Sequence, residues 1–394
     1  MTTHALGAGV ARVADVGWRA ARHAARGVAG PLEPEPVPLA AAAGRVLAEP
    51  VRARAALPGC DTAAMDGYAV RGAGPWTVVG RRLAGASPGD ALAPGTAVEI
   101  GTGAPVPHGA DAVLPYERSR RDGDRLAGPF APGRHIRRAG EDAVPGDVVV
   151  PAGRRVTAAV LGAAAQAGAD VLTVYRRPLV RLVVTGDEIV RAGVPRPGFV
   201  RDAFGPSIAA LVEDAGGLAG GPAYTPDDRA ALQDAIAAAA GADVLVVTGS
   251  SSVGAADHLH RVLAGLGAAW HVDGVRCRPG HPQLLARIPG GPWVVGLPGN
   301  PFAGLVAALT LLRPLLEAMT GAPAAPPLRM PVTGPARVPD DGVRLVPVCL
   351  DGPVARVLTD ARAASLRAAA GADALAVIEP GWADGAPAEL LTGF

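Results

Sequence analysis

Two segments of this chain run from a β-branched stretch through a glycine-rich turn into an apolar helical pattern, and few folds accommodate both. Asp243 to Val247 leads into Thr248-Gly249-Ser250-Ser251-Ser252-Val253-Gly254 and then Asp257, and Trp293 to Val295 leads into Gly296-Leu297-Pro298-Gly299-Asn300-Pro301. A strand that passes directly into a helix points to a crossover unit and hence to a mostly parallel sheet. At such a turn the first N–H groups of the helix have no intrahelical partner, and together with the aligned peptide dipoles they attract phosphate or another oxyanion. Fold and ligand class are therefore constrained together: an α/β domain holding anions outside the carboxyl ends of its strands.

The same alternation extends from Leu179 to Met319. Val180 to Val184 reads as a strand leading through Thr185-Gly186-Asp187-Glu188 to a helix at about Pro206 to Asp214. Thr225 and Asn300 are N-cap types, each followed by a proline at the first helical position, Pro226 and Pro301, where a missing N–H costs nothing. Upstream, Val10 to Val28 and Leu39 to Leu47 carry helical periodicity on either side of the proline-rich stretch Pro31 to Pro38. From Val51 to about Arg134 the texture changes to short β-favouring runs, among them Tyr68 to Val70, Trp76 to Val79 and Ala97 to Ile100, which indicates a small all-β module. Asp66-Gly67 suits a tight hairpin. Helical texture returns at Val156 to Ala167, so the β module is inserted into its neighbour rather than appended; after Pro323 to Pro331, runs at Val343 to Leu350 and Ala374 to Ile378 read as a final small β module.

Composition excludes several function classes. With 394 residues, nearly half of them apolar, the chain exceeds the size of one growing core. All 37 of its basic residues are arginine, which removes Schiff-base chemistry and a Walker-type lysine. A net charge of +1 leaves no electrostatic footprint for nucleic acid. Arg118, Arg120, Arg121 and Arg125 are interrupted by Asp122 and Asp124 and read as a solvated hairpin tip. Cys60, Cys277 and Cys349 are isolated and lack metal-ligand spacing, consistent with a reducing compartment. The first thirty residues lack the uninterrupted apolar core of a leader, and the longest apolar stretch, Pro301 to Leu312, falls short of the ~20 residues that cross a bilayer. The expectation is a soluble cytoplasmic protein without membrane or nucleic-acid partners.

Several residues could carry chemistry. Asp187 and Glu188 end a strand beside an anion cradle, where hard oxygen ligands could hold Mg²⁺ against phosphate; the alternative is a pair of solvated loop carboxylates. Asp257 is either a metal ligand or a helix N-terminal carboxylate. Asp227 and Asp228 follow Thr225-Pro226, and a capping role alone accounts for them. Arg276, Arg278 and His281 surround Pro279-Gly280 in a cationic turn whose arginine donors suit a tetrahedral oxyanion. No serine or cysteine nucleophile is paired persuasively with a histidine, and no Gly-x-Gly-x-x-Gly of the dehydrogenase type follows the first α/β strand.

Taken in order, the motifs resemble those of the MoeA-type molybdopterin molybdenumtransferases. Cys60 to Val70 resembles the family string DNSAMDGYAV, Gly101 to Pro107 its TGAPVP, and Ile136 to Asp142 its IRxxGED. Thr185 to Glu188 matches TGDE, Gly249 to Asp257 resembles GGVSVGxxD, Arg278 to Pro282 stands in the place of KPGKP, and Gly296 to Pro301 matches GLPGNP.

The resemblance implies an elongated, multi-domain α/β plus β chain. Its domains would be an elongated segment at 1–51 and 134–177, an inserted β domain at 52–133, a MogA-like, molybdopterin-binding α/β domain at 178–322, and a C-terminal β-barrel-like domain at 323–394. It also implies a homodimer whose active sites lie between the α/β domain of one subunit and the β insert of the other, which would make Asp61, Thr102 and Asp142 functional with Glu188 and Asp257. The implied reaction is Mg²⁺-dependent: adenylylated molybdopterin, delivered by a molybdopterin adenylyltransferase, receives molybdenum from molybdate with release of AMP. Glu188 and Asp257 would be the Mg²⁺ ligands. Thr185, Gly186, Asp187, Asp227, Asp228, Gly249, Ser250, Ser252, Gly254 and Pro298 would contact substrate, with Arg278, His281, Asn300 and Pro301 at molybdate. The chain departs from the family strings at Ala63, Ser250, Ala203-Phe204, and at both lysines of KPGKP; Arg278 keeps charge with a wider planar head, and His281 keeps it only conditionally. Those departures also admit a non-catalytic or specialised paralogue that binds molybdopterin or a protein partner.

Overall fold

The computed structural model describes residues 14–87, 89–249 and 258–394. They form two compact units, one of residues 36–43 and 47–174 and the other of the remaining chain.

In the larger unit the strands Leu179–Thr185, Val244–Thr248 and Trp293–Leu297 lie side by side and parallel, with Leu218–Ala219 and Ala223–Thr225 also parallel to the first of them. Beyond Trp293–Leu297 the sheet turns antiparallel through Leu284–Arg287 and Ala269–Arg278. Both faces are covered. Along Val244–Thr248, Val244 and Val246 face a core with Phe204, Ile208 and the helices after Pro301, while Leu245 and Val247 face one with Leu232, Ile236, Val262 and Leu263. Side chains that alternate between two buried faces explain why these strands are continuous apolar runs.

The apolar run at Pro301 continues further than expected. Helix Pro301–Ala307 passes through a π-helical turn, Ala308–Leu312, into helix Arg313–Met319. The wide turn precedes Pro314, whose ring cannot sit over the carbonyl four residues back. The 19-residue helix is long and apolar enough to cross a membrane, yet 78% of its apolar window is buried within the protein, as in a core helix. Trp18, on helix Trp18–Gly27, packs into the same core and donates to Thr310 Oγ1 at 3.0 Å. Helical periodicity was expected from Val10, but Ala14–Gly17 is a strand parallel to Ala269–Arg278.

The C-terminal strands close a five-stranded barrel. Val343–Asp351 pairs with Val354–Val357 and Ala374–Ile378, Leu328–Thr333 pairs with Val354–Val357 and Pro387–Thr392, and Pro387–Thr392 pairs with Ala374–Ile378. The proline-rich stretch expected to precede the barrel thus supplies one of its strands. Cys277 and Arg278 pair parallel with Val343 and Arg344, so the main sheet runs directly into the barrel.

In the smaller unit a six-stranded sheet runs in the order Ala112–Pro115, Gly67–Val70, Thr96–Ile100, Trp76–Arg82, Arg125–Ala127, Arg120–Asp122. The last pair is the arginine-rich hairpin expected from the sequence. Asp66-Gly67 is not a two-residue hairpin, because Gly67 opens a strand. A Cβ there would lie 2.8 Å from Pro115 Cα, so glycine is needed for the close approach of two backbones. A separate core around Leu47, Val150, Val156 and Leu172 includes helix Ala158–Gln166. Leu39 to Leu47 holds only the short 3₁₀ turn Leu39–Ala41. Its backbone donors are spent on distant segments: Leu39 N–H on Asp170 O, and Leu47 N–H on Arg154 O.

Candidate functional site

Parallel register brings the strand ends of the larger unit together. Thr185 pairs with Thr225, and Val184 is level with Thr248, which is level with Leu297. Thr185, buried, donates its hydroxyl to the Thr248 carbonyl at 2.6 Å, tying two strand ends side by side. Gly249 follows with φ +89°, where a Cβ would come within 2.6 Å of Thr185 Oγ1. Gly299 approaches it so closely that a Cβ would stand 3.3 Å from Gly249 Cα. Ser250, Ser252, Gly254 and Asp257 lie outside the described residues.

Carboxylates gather at this edge. Burial pushes the Asp227 carboxyl above its ordinary value, and the nearby charges of Glu188 and Asp187 push it further, against the Asp187 N–H and His258. Neighbouring like charges that raise a carboxyl mark a place where a cation would be welcome. Asp228 has a different job: it is the N-cap of helix Arg229–Ala238 and accepts from Ala231 N–H at 2.8 Å. The expected cap at Thr225-Pro226 is displaced, because Thr225 ends a strand; its hydroxyl is buried without a hydrogen-bond partner among the described residues. Among the described residues no three His, Cys, Asp or Glu side chains are close enough to enclose a metal. A loose set of carboxylates fits Mg²⁺, which keeps much of its water and shares itself with substrate phosphates, better than a dehydrated ion.

A second charged feature lies where the main sheet meets the barrel. A cavity of about 530 Å³ is lined by Arg278, Arg337 and Arg344, with Pro279, Phe302 and Asp360 among its walls. Arg344 Nε is buried without a hydrogen-bond partner among the described residues. Burial lowers the pKa of the Arg344 guanidinium, and the charges of Arg337 and then Arg278 lower it further. None of these three arginines has a carboxylate within ion-pair distance among the described residues. Three guanidinium groups against the one lining carboxylate of Asp360 leave a surplus of positive charge, which suits an oxyanion. Arg337 and Arg344 were missed from sequence because they belong to the tail, with no motif marking them.

Two other expected anion contacts are redirected. His281 turns its Nδ1 to the Val275 carbonyl at 2.9 Å and lies 3.5 Å from Asp15 Oδ1, and Arg276 faces Asp341 at 3.5 Å. The compact cationic turn is therefore dispersed, and only Arg278 reaches the cavity. At the helix start, Asn300 is the N-cap and Pro301 the first residue. However, the Phe302 and Ala303 N–H groups both donate to the Ala363 carbonyl, at 2.9 and 3.2 Å, and Gly304 N–H donates to Asn300 O. The donors that were to hold an anion at Pro301 are thus taken by Ala363, which lies between two barrel strands. Phe204 is buried in the core against Gly304 rather than across a site. Asp202 before it accepts from Phe204 and Gly205 N–H and from the Tyr224 hydroxyl.

In the smaller unit Asp61 accepts from Arg138 at 2.6 Å and from Ala139 N–H at 2.9 Å. Burial opposes this, but those two bonds hold the Asp61 carboxyl below the usual carboxylate range. Thr102 donates from its N–H and hydroxyl to Asp66 at 2.6 and 3.0 Å, and those two bonds lower the pKa of Asp66. Asp142 N–H donates to Leu57 O.

Comparison with known proteins places these features in a family. Residues 17–168 match the MoeA N-terminal region (domain I and II), and residues 181–318 match the probable molybdopterin binding domain. The chain is 36% identical over 304 residues to a molybdopterin molybdenumtransferase of Nostoc, covering 73% of this chain and 70% of that one. It is 38% identical over 314 residues to molybdopterin molybdenumtransferase 2 of Mycobacterium tuberculosis, covering 74% and 76%. A solved molybdopterin biosynthesis MoeA protein of Pyrococcus horikosii superposes with a TM-score of 0.79 at 27% identity, covering 96% of this chain and all of that one.

Proposed function

This chain belongs to the MoeA family, whose members include molybdopterin molybdenumtransferases, and on that premise we propose that it inserts molybdenum from molybdate into adenylylated molybdopterin with release of AMP. The observation that carries this reading is the pairing of two opposite charge preferences across one short loop. On one side Gly299 packs against Gly249 at the carboxylate-rich strand edge; on the other Phe302 lines the arginine cavity. A diphosphate bound with a cation at the first and an oxyanion at the second would meet over Pro298 to Pro301.

Glu188, with Asp187 and Asp227, would hold Mg²⁺, which when bound supplies positive charge against the diphosphate. The protein's own part is positioning. Thr185 and Gly249 fix the strand ends so that substrate can approach the backbone closely, and Arg278 and Arg344 present fixed donors to molybdate. The Glu188 carboxylate folds back over Gly186, where a Cβ would meet it at 2.7 Å, and it stays exposed at the rim. A homodimer in the cytoplasm, supplied by a molybdopterin adenylyltransferase, belongs to the same proposal, as do substrate roles for Asp61, Thr102 and Asp142.

The test is direct. Purified protein given Mg²⁺, adenylylated molybdopterin and molybdate is expected to release AMP and yield metallated cofactor. Binding of the adenylylated pterin without AMP release at any molybdate concentration would identify a non-catalytic paralogue instead.

A further inference from the structure

Adenylylated molybdopterin carries the group that receives the metal at one end of its diphosphate and adenosine at the other. Across the strand-end edge the order is Ala223–Thr225, Leu179–Thr185, Val244–Thr248, Trp293–Leu297, and the arginine cavity lies past the last of these, where Phe302 lines it. A diphosphate seated at Thr185 and Gly249 with its metal-receiving end toward the cavity sends its nucleoside end the opposite way. That end arrives at Tyr224.

A flat stack stands there. The Arg191 guanidinium carbon lies 4.5 Å from the centroid of the Tyr224 ring. Tyr224 is itself fixed, because its hydroxyl donates to the buried Asp202 carboxylate at 2.8 Å. The chain that carries Arg191 is closed at its base: Ile189–Val190 pairs parallel with Val200–Arg201, Val200 N–H donates to Glu188 O at 2.9 Å, and Asp202 N–H donates to Val190 O at 3.0 Å. Arg191 follows directly; it is exposed and makes no ion pair or hydrogen bond among the described residues. One face of its plane is on Tyr224 and the other is turned to solvent. Arg191 comes three residues after Glu188, and Tyr224 three before Asp227, a reach of at most about 10 Å in extended chain, comparable to the span from a nucleotide's phosphate to its base.

We propose that Arg191, held flat on Tyr224, is a further substrate-binding residue that stacks on the adenine ring of the adenylylated substrate and so favours a nucleotide over a bare sugar phosphate. The proposal rests on the reading of the strand edge as the diphosphate site, and it concerns recognition of the leaving group, not transfer. Stacking requires the guanidinium plane, and charge alone does not supply it. Lysine at this position would keep the charge and lose the plane.

The test uses the intact protein with Mg²⁺ and two ligands, AMP and ribose 5-phosphate, which share sugar and phosphate and differ in the base, followed by calorimetry. Wild type is expected to bind AMP more tightly than ribose 5-phosphate. Arg191→Ala is expected to weaken AMP by roughly fivefold to tenfold, as for a lost stacking contact, while changing ribose 5-phosphate by a much smaller factor. Arg191→Lys should weaken AMP nearly as much, and both variants should melt with wild type because the side chain is exposed. Equal losses for both ligands, an unaltered AMP affinity in Arg191→Ala, full AMP affinity in Arg191→Lys, or a wild type that does not distinguish the two ligands would overturn the proposal. In the transfer assay the loss in Arg191→Ala should fall on the KM for adenylylated molybdopterin rather than on kcat. Base-dependent AMP binding by a wild type that releases no AMP from substrate would sink the proposed function and leave Arg191 its role; AMP release with a KM unaltered in Arg191→Ala would do the reverse.

Discussion

Two groups of carboxylates, one in each unit, are in opposite states. In the smaller unit Asp61 and Asp66 are satisfied by donors from their own surroundings, Arg138 with Ala139 and Thr102, and both are held below their usual pKa. At the strand edge of the larger unit Asp227 is raised by burial and by the carboxylates of Glu188 and Asp187. A satisfied carboxylate stabilises the fold that surrounds it, whereas a crowded one is stabilised by what binds to it. The difference separates groups whose removal weakens the structure, along with any substrate role, from one whose removal weakens binding alone.

The largest effect should come from the crowded side. Glu188→Ala is expected to lower AMP release by about 100-fold or more while leaving the melting temperature unchanged; a variant that melts early but turns over normally would erase the contrast. Next is the satisfied side. Asp61→Ala removes two bonds to a charged acceptor and should cost about 1–2 kcal/mol after allowance for its partial exposure, read from denaturant midpoints. Because the folded pKa of Asp61 is depressed, its contribution is fully present above the ordinary carboxylate value near 4 and is lost as pH falls through the folded value. Asp61→Asn should therefore flatten the acid limb of the stability curve.

Asp228→Ala, which removes a helix cap, should cost about 1 kcal/mol without altering Mg²⁺ dependence, so a loss of metal response would show that its carboxylate does more than cap. The smallest shift belongs to Asp227. Its raised pKa means that ionisation in the folded state becomes unfavourable as pH rises from the unfolded value through the folded one. Asp227→Asn should stabilise the apoprotein by no more than about 0.5 kcal/mol, since the group is mostly exposed. The same variant should also diminish the rise in melting temperature that Mg²⁺ gives at neutral pH. An Asp227→Asn protein that keeps the full Mg²⁺ response would remove Asp227 from the cation-binding edge.

Local pattern was enough for much of this molecule. The strands Leu179–Thr185, Val244–Thr248 and Trp293–Leu297 were readable as short β-branched runs, and the glycine turns placed Thr185, Glu188 and Gly249 at their carboxyl ends. It failed where an amphipathic rhythm, Leu39 to Leu47, packs into a core but gives its backbone donors to distant segments instead of to a helix, and where proline suggested a linker but Leu328–Thr333 joined a barrel.

What the sequence determined by itself was the alternating architecture and the acidic edge, because strand periodicity, turn residues and adjacent carboxylates are properties of neighbours along the chain. Only the tertiary structure decided which cations share a cavity and which helix donors remain open. Arg278, Arg337 and Arg344 converge through the pairing of Cys277 and Arg278 with Val343 and Arg344, and Ala363 caps Phe302 and Ala303 from a distant loop. Coulombic and hydrogen-bond energies depend on distance in space, and the fold sets that distance independently of separation along the chain.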